Sequence, residues 1–212
     1  MLFCFFISKR GNIRLTYNLN YSSQKKLIDT TANLCYNLIT QRKEGNLMKS
    51  IWFDMDGTIA DLYKVEGWLE ALRSNDWSVY RKCAPRHNYQ RINTAIEALI
   101  ENGWQIGVIT WASKGIGWGK DLDEIAEVKF NWLSTFFPAL ADGKFACLPY
   151  GYSKADFLEE MGDAYNVAYL VDDNKEVRHD WRSHSHNNRN NTEYKTINAS
   201  RSYVRELEGL VG

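Results

Sequence analysis

Two aspartates, one residue apart, follow an apolar run in the segment IWFDMDGTIAD, where they are Asp54 and Asp56. A second acidic pair, Asp172 and Asp173, follows the apolar run VAYLV. Ionised carboxylates repel each other, by about 4 kcal/mol at a separation of 4 Å and an effective dielectric constant near 20. Acidic groups that come together in this way therefore hold a cation, carry out chemistry, or do both.

Four carboxylates favour a hard divalent cation bound through oxygen atoms, and Mg²⁺ is the ion that also suits a phosphorylated substrate. A calcium site of the EF-hand type is excluded by its register. With Asp54 as the first loop position, Ile59 stands in place of the required glycine and Val65 in place of the final glutamate. We therefore expect a Mg²⁺ site. Its expected ligands are Asp54, Asp56, Asp172 and Asp173.

Hydrophobic periodicity predicts the elements that position these groups. Short apolar runs alternate with stretches in which apolar residues recur at helical spacing. This alternation predicts a three-layer, Rossmann-like α/β fold, with a parallel sheet covered by helices on both faces. The predicted strands are 49–54, 105–110, 145–148, 167–171 and 195–198. The predicted helices are about 62–73, 89–100, 122–136, 153–161 and 202–210, two of which end near Gly103 and Gly162.

Polar side chains end three of the predicted strands, namely Asp54, Thr110 and Asp172. Ligands of open parallel sheets bind outside the carboxyl ends of the strands. We therefore expect these three side chains to meet at one edge of the sheet.

The connection between the first two strands, about residues 60–104, is longer than one crossover helix requires. Residues 61–88 are therefore predicted to form a small helical cap over the site. This segment contains side chains that could recognise a substrate: Trp68, Trp77, Tyr80 and Arg86.

Four motifs in this order resemble those of the haloacid dehalogenase superfamily of phosphatases. They are DMDGT at 54–58, Thr110 at a strand end, Lys154 at a helix start, and VDDN at 171–174. The resemblance covers about residues 50–200. It implies a Mg²⁺-dependent phosphomonoester hydrolase that acts through an aspartyl-phosphate intermediate.

The resemblance also implies a role for each catalytic residue. Asp54 is expected to be the nucleophile, and Asp56 the general acid for the leaving group and then the base for water. Thr110 is expected to hydrogen-bond the transferring phosphoryl group. Lys154 is expected to offset the negative charge of Asp54 and the phosphate, with Lys114 and Lys144 as rivals for this role.

The same resemblance implies how the metal is held. Asp54 and Asp172 are expected to bind it through their carboxylates, and Asp56 through its backbone carbonyl. Asp173 is expected to bind through water or to orient a neighbour, and the alternative is that it caps the following helix. Thr110 could likewise be an ordinary strand residue.

The run DMDGTIAD, the small cap and the Asp-Asp pair are similar to the deoxyribonucleotidase branch of this superfamily, which implies a small phosphorylated substrate such as a nucleoside monophosphate. The sequence WASKGIGWG after Thr110 departs from the pattern. Trp111 and Trp118 could stack on a base or could simply pack. One alternative is a phosphatase for nucleic-acid 3′ ends, and another is a non-catalytic binding module. The first is favoured by a basic stripe of Arg81, Lys82, Arg86 and Arg91.

Charge and composition limit the other possibilities. The 212-residue chain has no net charge, but residues 1–47 hold seven Lys/Arg and two acidic residues, so 48–212 carry an excess of acidic groups. An acidic body disfavours stable nucleic-acid binding. The four cysteines form no CxxC pair, which favours free thiols in a reducing cytoplasm. The run LFCFF is too short to span a membrane.

Residues 1–47 also lack a clear helical or strand pattern and are predicted to be disordered or not native. Lys43-Glu44-Gly45 can be back-translated to a ribosome-binding sequence shortly before Met48. Met48 is therefore expected to be the native start, in a bacterium or its phage, and 48–212 the catalytic domain.

Overall fold

The computed structural model describes residues 48–86, 88–186, 191–200 and 202–211, and the backbone of two short strands near the N-terminus. These are β1 (Phe6–Ile7) and β2 (Ile13–Arg14), which pair antiparallel. The sequence did not predict this pair. The rest of the prediction for residues 1–47 lies outside the described residues.

A five-stranded, entirely parallel sheet forms the centre of the fold, with the order β5-β4-β3-β6-β7. The strands agree with the predicted ones to within one or two residues at each end. They are β3 (Lys49–Phe53), β4 (Gln105–Trp111), β5 (Lys144–Leu148), β6 (Val167–Asp172) and β7 (Glu193–Asn198).

Helices cover both faces of this sheet, so the predicted three-layer α/β fold is confirmed. One face packs against α3, α4, α5 and α8, and the other against α6 and α7. The helices are α1 (Trp68–Arg73), α2 (Val79–Lys82), α3 (Tyr89–Glu101), α4 (Lys120–Phe136), α5 (Pro138–Ala141), α6 (Lys154–Glu160), α7 (Lys175–Ser183) and α8 (Val204–Glu208).

The central strand β3 is apolar from Ile51 to Phe53 because both faces of the sheet are covered there. Ile51 and Phe53 belong to the core on one face, whereas Trp52 belongs to the core on the other, because successive side chains point to opposite faces. All three side chains are almost completely buried. A stretch of strand that is buried on both faces does not alternate apolar and polar residues, and the acidic side chains follow only after it.

The order of the strands places the functional edge. The chain runs from β3 outward through β4 to β5, and then returns to place β6 on the opposite side of β3. Such a reversal leaves a crevice at the carboxyl ends of the central strands. The ends of β4, β3 and β6 therefore lie side by side at this crevice.

The predicted helix at 62–73 is wrong in its first half. Leu62–Lys64 is a short 3₁₀ helix, Val65 is extended, and α1 begins only at Trp68. Gly67 precedes α1 with φ of 72°, a left-handed conformation that interrupts a right-handed helix. The predicted cap segment, 61–88, is thus a set of short helical pieces.

A glycine in β4 is required by the packing of the neighbouring strand. A Cβ atom on Gly107 would lie 2.2 Å from the Trp52 ring. We expect Gly107→Ala to lower the free energy of unfolding by about 1–3 kcal/mol, because the buried ring has no room to move. Urea denaturation would measure this change. Gly117→Ala is the control, since its Cβ would meet nothing within 4 Å, and an equal loss in both variants would contradict the explanation.

Candidate active site

The segment that follows β3 folds into a tight loop around one carbonyl group. The Met55 carbonyl accepts the N–H groups of Thr58, Ile59 and Ala60 at 2.9–3.2 Å. Gly57 adopts a φ of 79°, and a side chain on it would collide with Tyr63 and Asp173. The loop therefore turns away from the sheet directly after Asp54 and leaves the acidic groups at its edge.

Lys154 joins two of the predicted acidic residues. Its Nζ atom lies 2.6 Å from Asp54 Oδ1 and 2.8 Å from Asp172 Oδ2, and its side chain is 2% exposed. Burial alone would lower the pKa of Lys154, but the carboxylates of Asp172 and Asp54 outweigh that effect and the net shift is upward. The ammonium group therefore stays charged, as the sequence-based role requires.

The helix that carries Lys154 begins as the sequence predicted. Ser153 is the N-cap of α6, and its Oγ atom accepts the N–H of Asp156 at 3.2 Å. Of the rival lysines, Lys144 pairs with Asp163 at the start of β5, whereas Lys114 lines the same cavity as Lys154. Of the three, Lys154 is the one within hydrogen-bond distance of Asp54.

Asp173 does not cap the helix that follows it. The N-cap of α7 is Asn174, whose Oδ1 atom accepts the N–H groups of Glu176 and Val177. The backbone N–H of Asp173 donates to Thr58 Oγ1 at 3.2 Å, which ties the acidic pair to the loop after β3. The Asp173 carboxylate therefore remains available at the edge of the sheet.

Three carboxylates could hold a metal ion together. One oxygen from each of Asp54, Asp172 and Asp173 lies within 4.8 Å of the other two, and no other such group of acidic, histidine or cysteine side chains occurs among the described residues. Asp56 contributes no side-chain oxygen to this group. Its predicted metal contact, through the backbone carbonyl, stays a prediction.

The electrostatics of this group fit a cation. Burial raises the pKa of Asp173 to about 6, and the charges of Asp54 and Asp172 add to the shift. Burial also raises the pKa of Asp172, although Lys154 opposes it. Carboxylates that resist ionisation in this way are stabilised when a divalent cation binds between them, and an all-oxygen donor set suits Mg²⁺ or Ca²⁺.

Asp56 is held separately, by two donors on one oxygen. Lys129 Nζ lies 2.7 Å from Asp56 Oδ2, and the Tyr80 hydroxyl donates to the same atom at 2.8 Å. Burial raises the pKa of the Asp56 carboxyl, and the Lys129 ammonium opposes this shift. Lys129 also donates to Thr110 Oγ1 at 2.9 Å and to the Trp111 carbonyl at 2.7 Å.

Lys129 is a site residue that the sequence analysis missed. It lies in α4, four residues after Ile125 and four before Leu133, both of which are fully buried. Its own side chain is also fully buried. A lysine in register with the apolar stripe of a helix was the signal that could have identified it, because such a lysine needs a buried acceptor.

A cavity of about 460 Å³ opens at this edge of the sheet. Two aromatic pairs border it: Tyr63 with Trp68, and Trp111 with Tyr150, with ring centroids 5.0 and 5.1 Å apart. All six predicted site residues line the cavity. They are Asp54, Asp56, Thr110, Lys154, Asp172 and Asp173.

Other predicted recognition residues have structural contacts instead. Trp118 packs edge-on against Tyr152. Arg86 donates to the carbonyl groups of Gly57 and Ala199. Arg91, from the predicted basic stripe, pairs with Glu208 at 2.7 Å. Trp77, from the predicted cap, packs against the larger hydrophobic core.

Comparison with known proteins gives no family: no protein-family model matches the chain, and no curated protein matches it. Among the helices that the structure describes, none has both the length and the apolar composition needed to cross a bilayer.

The raised pKa of Asp173 predicts a pH-dependent effect on stability. An acid whose pKa rises from 3.8 to about 6 on folding costs nothing while protonated in both states, and its full cost appears once the pH exceeds the folded value. In metal-free buffer we expect Asp173→Asn to be more stable than wild type above about pH 6, and this advantage to disappear near pH 4. Because Asp173 is partly exposed, the stability advantage of Asp173→Asn should be on the order of 1 kcal/mol.

Urea denaturation in EDTA, from about pH 4 to pH 7, would measure this difference. Asp142→Asn, which removes a carboxylate at an exposed position, is the matched control. Adding Mg²⁺ above pH 6 should stabilise wild type more than Asp173→Asn. An Asp173→Asn effect that stays constant with pH would contradict the electrostatic explanation.

Proposed function

We propose that this protein is a Mg²⁺-dependent phosphomonoester hydrolase that forms an aspartyl-phosphate on Asp54. The observation that carries the proposal is the position of the Lys154 ammonium group between Asp54 and Asp172, at the border of the cavity. A carboxylate that attacks a phosphate dianion needs positive charge beside it. The Lys154 ammonium group supplies that charge directly beside the Asp54 carboxylate.

In the proposed reaction, four side chains take part. A carboxylate oxygen of Asp54 attacks phosphorus, the bond from phosphorus to the leaving oxygen breaks, and Asp56 gives that oxygen a proton. Water then attacks the phosphorus atom, Asp56 takes a proton from it, and the bond to Asp54 breaks to release inorganic phosphate. Thr110 and Lys154 bind the phosphoryl oxygens throughout.

The metal would be held by Asp54, Asp172 and Asp173, whose oxygens already lie within 4.8 Å of one another. When bound, Mg²⁺ supplies positive charge that neutralises the phosphoryl oxygens and orients them. Lys154 and Lys129 do not replace the metal ion, because each ammonium group already donates to acceptor atoms of the protein.

A small phosphorylated substrate, and a nucleoside monophosphate in particular, fits the cavity. Aromatic rings on two sides can stack on a planar group, and stacking is worth about 1–3 kcal/mol per base. Tyr63 and Tyr150 are half exposed at the cavity although they are large apolar side chains.

We place the reaction in a bacterial or phage-infected cytoplasm, where free thiols such as Cys83 and Cys147 persist.

We expect Asp54→Asn to lower phosphate release by at least about 10³-fold, because an amide cannot form the aspartyl-phosphate. The full-length protein would be assayed with Mg²⁺ and with EDTA. The panel would contain deoxynucleoside monophosphates, sugar phosphates and a 3′-phosphorylated oligonucleotide.

Asp142→Asn, at an exposed position just before the start of β5 and thus at the opposite end of that strand from the site, is the control and should retain wild-type activity. Preference for the oligonucleotide would replace the nucleotide substrate by a nucleic-acid end. A wild-type protein that releases no phosphate from any member, while still binding Mg²⁺, would favour the non-catalytic binding module.

Tyr150 is one of the aromatic side chains that border the cavity. Tyr150 is 55% exposed and packs on Trp111. We expect Tyr150→Ala to raise KM for a nucleoside monophosphate about tenfold, and to leave KM for glycerol phosphate unchanged, since only the first substrate can stack. Tyr150→Phe, which keeps the ring, is the matched control. Equal changes for both substrates would show that Tyr150 does not contact a base.

A further inference from the structure

We infer that Lys129 is a positioning residue, which fixes the Thr110 hydroxyl as a hydrogen-bond donor to the phosphoryl group and holds Asp56 beside it. The inference deepens the proposed function and rests on it. It assigns a task to a lysine that lies outside the sequence motifs.

Burying the charged side chain of Lys129 costs free energy. Lys129 is 0% exposed, and a buried ammonium group is tolerated only where its N–H groups find acceptors. It has three donors, and three acceptors lie within 2.9 Å: Asp56 Oδ2, Thr110 Oγ1 and the Trp111 carbonyl. The ring of Tyr80 lies beside the same ammonium group, at 5.3 Å. The position of Nζ is therefore determined from several sides.

The hydrogen bond between Lys129 and Thr110 can run in only one direction. An ammonium group can only donate, so Thr110 Oγ1 must be the acceptor. The hydroxyl proton of Thr110 is then directed elsewhere, and no acceptor for it occurs among the described residues. Thr110 lines the cavity, where the oxygens of a phosphoryl group are acceptors. Lys129 thus determines that Thr110 donates to the substrate rather than to the protein.

The Lys129 ammonium group also fixes Asp56. The Asp56 Oδ2 atom accepts from both Lys129 and Tyr80, whereas Oδ1 is buried without a partner in the described structure. One oxygen is thus anchored, and the other is left for proton exchange during the reaction. Because a single Nζ atom holds Thr110 and Asp56, phosphate binding and proton transfer depend on one shared contact.

A double-mutant cycle tests whether Lys129 acts through Thr110. We expect Lys129→Met to lower kcat/KM about 10²- to 10³-fold in the wild-type background, as loss of a preorganised donor does. In the Thr110→Val background, where no hydroxyl remains to be oriented, the further loss should be smaller by at least about tenfold. In the Thr110→Ser background, which keeps the hydroxyl, it should equal the wild-type loss.

A merely structural lysine would give a different pattern, with the same loss in all three backgrounds, and this result would overturn the inference. Urea denaturation of every variant shows whether it is folded. If Lys129→Met does not fold, Lys129→Arg replaces it in the cycle, since a guanidinium group keeps the charge but changes the geometry.

Binding of inorganic phosphate, measured by calorimetry with Mg²⁺ in the same variants, separates this inference from the proposed function. Absence of turnover in wild type, with phosphate binding that shows the same coupling between Lys129 and Thr110, would refute the hydrolase and retain the positioning role. Turnover in wild type that Asp54→Asn abolishes, with additive losses in the cycle, would refute only the positioning role. If wild type neither turns over substrate nor binds phosphate, both are refuted.

Discussion

The structure depends on how four carboxylates are kept together at one edge of a buried sheet. Two buried ammonium groups do most of this work: Lys154 bridges Asp54 and Asp172, and Lys129 anchors Asp56. Removing either partner of such a pair leaves an uncompensated buried charge, which is far costlier than an exposed one. Four carboxylates and two ammonium groups nevertheless leave two negative charges unbalanced. Burial raises the pKa of Asp173, the carboxylate without a lysine partner among the contacts described, and the charges of Asp54 and Asp172 add to the shift. A divalent cation bound beside these carboxylates would supply the missing positive charge.

The fold tolerates this concentration of charge because it keeps the charged groups apart from the apolar core. The side chains of Ile51, Trp52 and Phe53 in β3 are apolar and almost fully buried, and the acidic residues follow at the carboxyl end of the strand. Parallel pairing brings the same end of β4, β3 and β6 to one side. The lysines then arrive from helices on opposite faces of the sheet, Lys129 from α4 and Lys154 from α6. Each face therefore contributes one cation to the edge where the acidic residues meet.

Periodicity and strand ends predicted most of this arrangement, since the α/β fold, all five sheet strands and the meeting of Asp54, Thr110 and Asp172 follow from local patterns. Lys129 could not be obtained in that way, because a search for apolar residues at helical spacing passes over a charged one. The broken helix after Asp61 was missed for a related reason: an apolar pattern does not report that Gly67 takes a left-handed conformation. The helix cap after β6 depended on which of three adjacent polar side chains, Asp172 to Asn174, folds back onto the backbone. Spacing alone does not decide between them.

The segment between β3 and α3 contains two parts that are held very differently, and this division assigns them different tasks. Its last part is fastened to the loop after β3: Asp61 N–H donates to the Ala84 carbonyl at 2.9 Å, and Arg86 N–H to the Ile59 carbonyl at 2.8 Å. Tyr80, from the same part, reaches Asp56. The first part, from the 3₁₀ helix at Leu62–Lys64 through α1, instead presents half-exposed apolar side chains to the cavity.

In the proposed reaction, fixed backbone contacts suit the part that holds Asp56, because proton transfer requires a constant geometry. Partly exposed side chains such as Tyr63 and Leu69 suit the part proposed to meet the substrate, although the Tyr63 hydroxyl also donates to the Asp56 carbonyl. Under the proposed function, the residues of Leu62–Arg73 are the ones whose exchange would alter substrate selection. The helical pieces of this part are separated at Gly67, whose left-handed φ does not continue a right-handed helix.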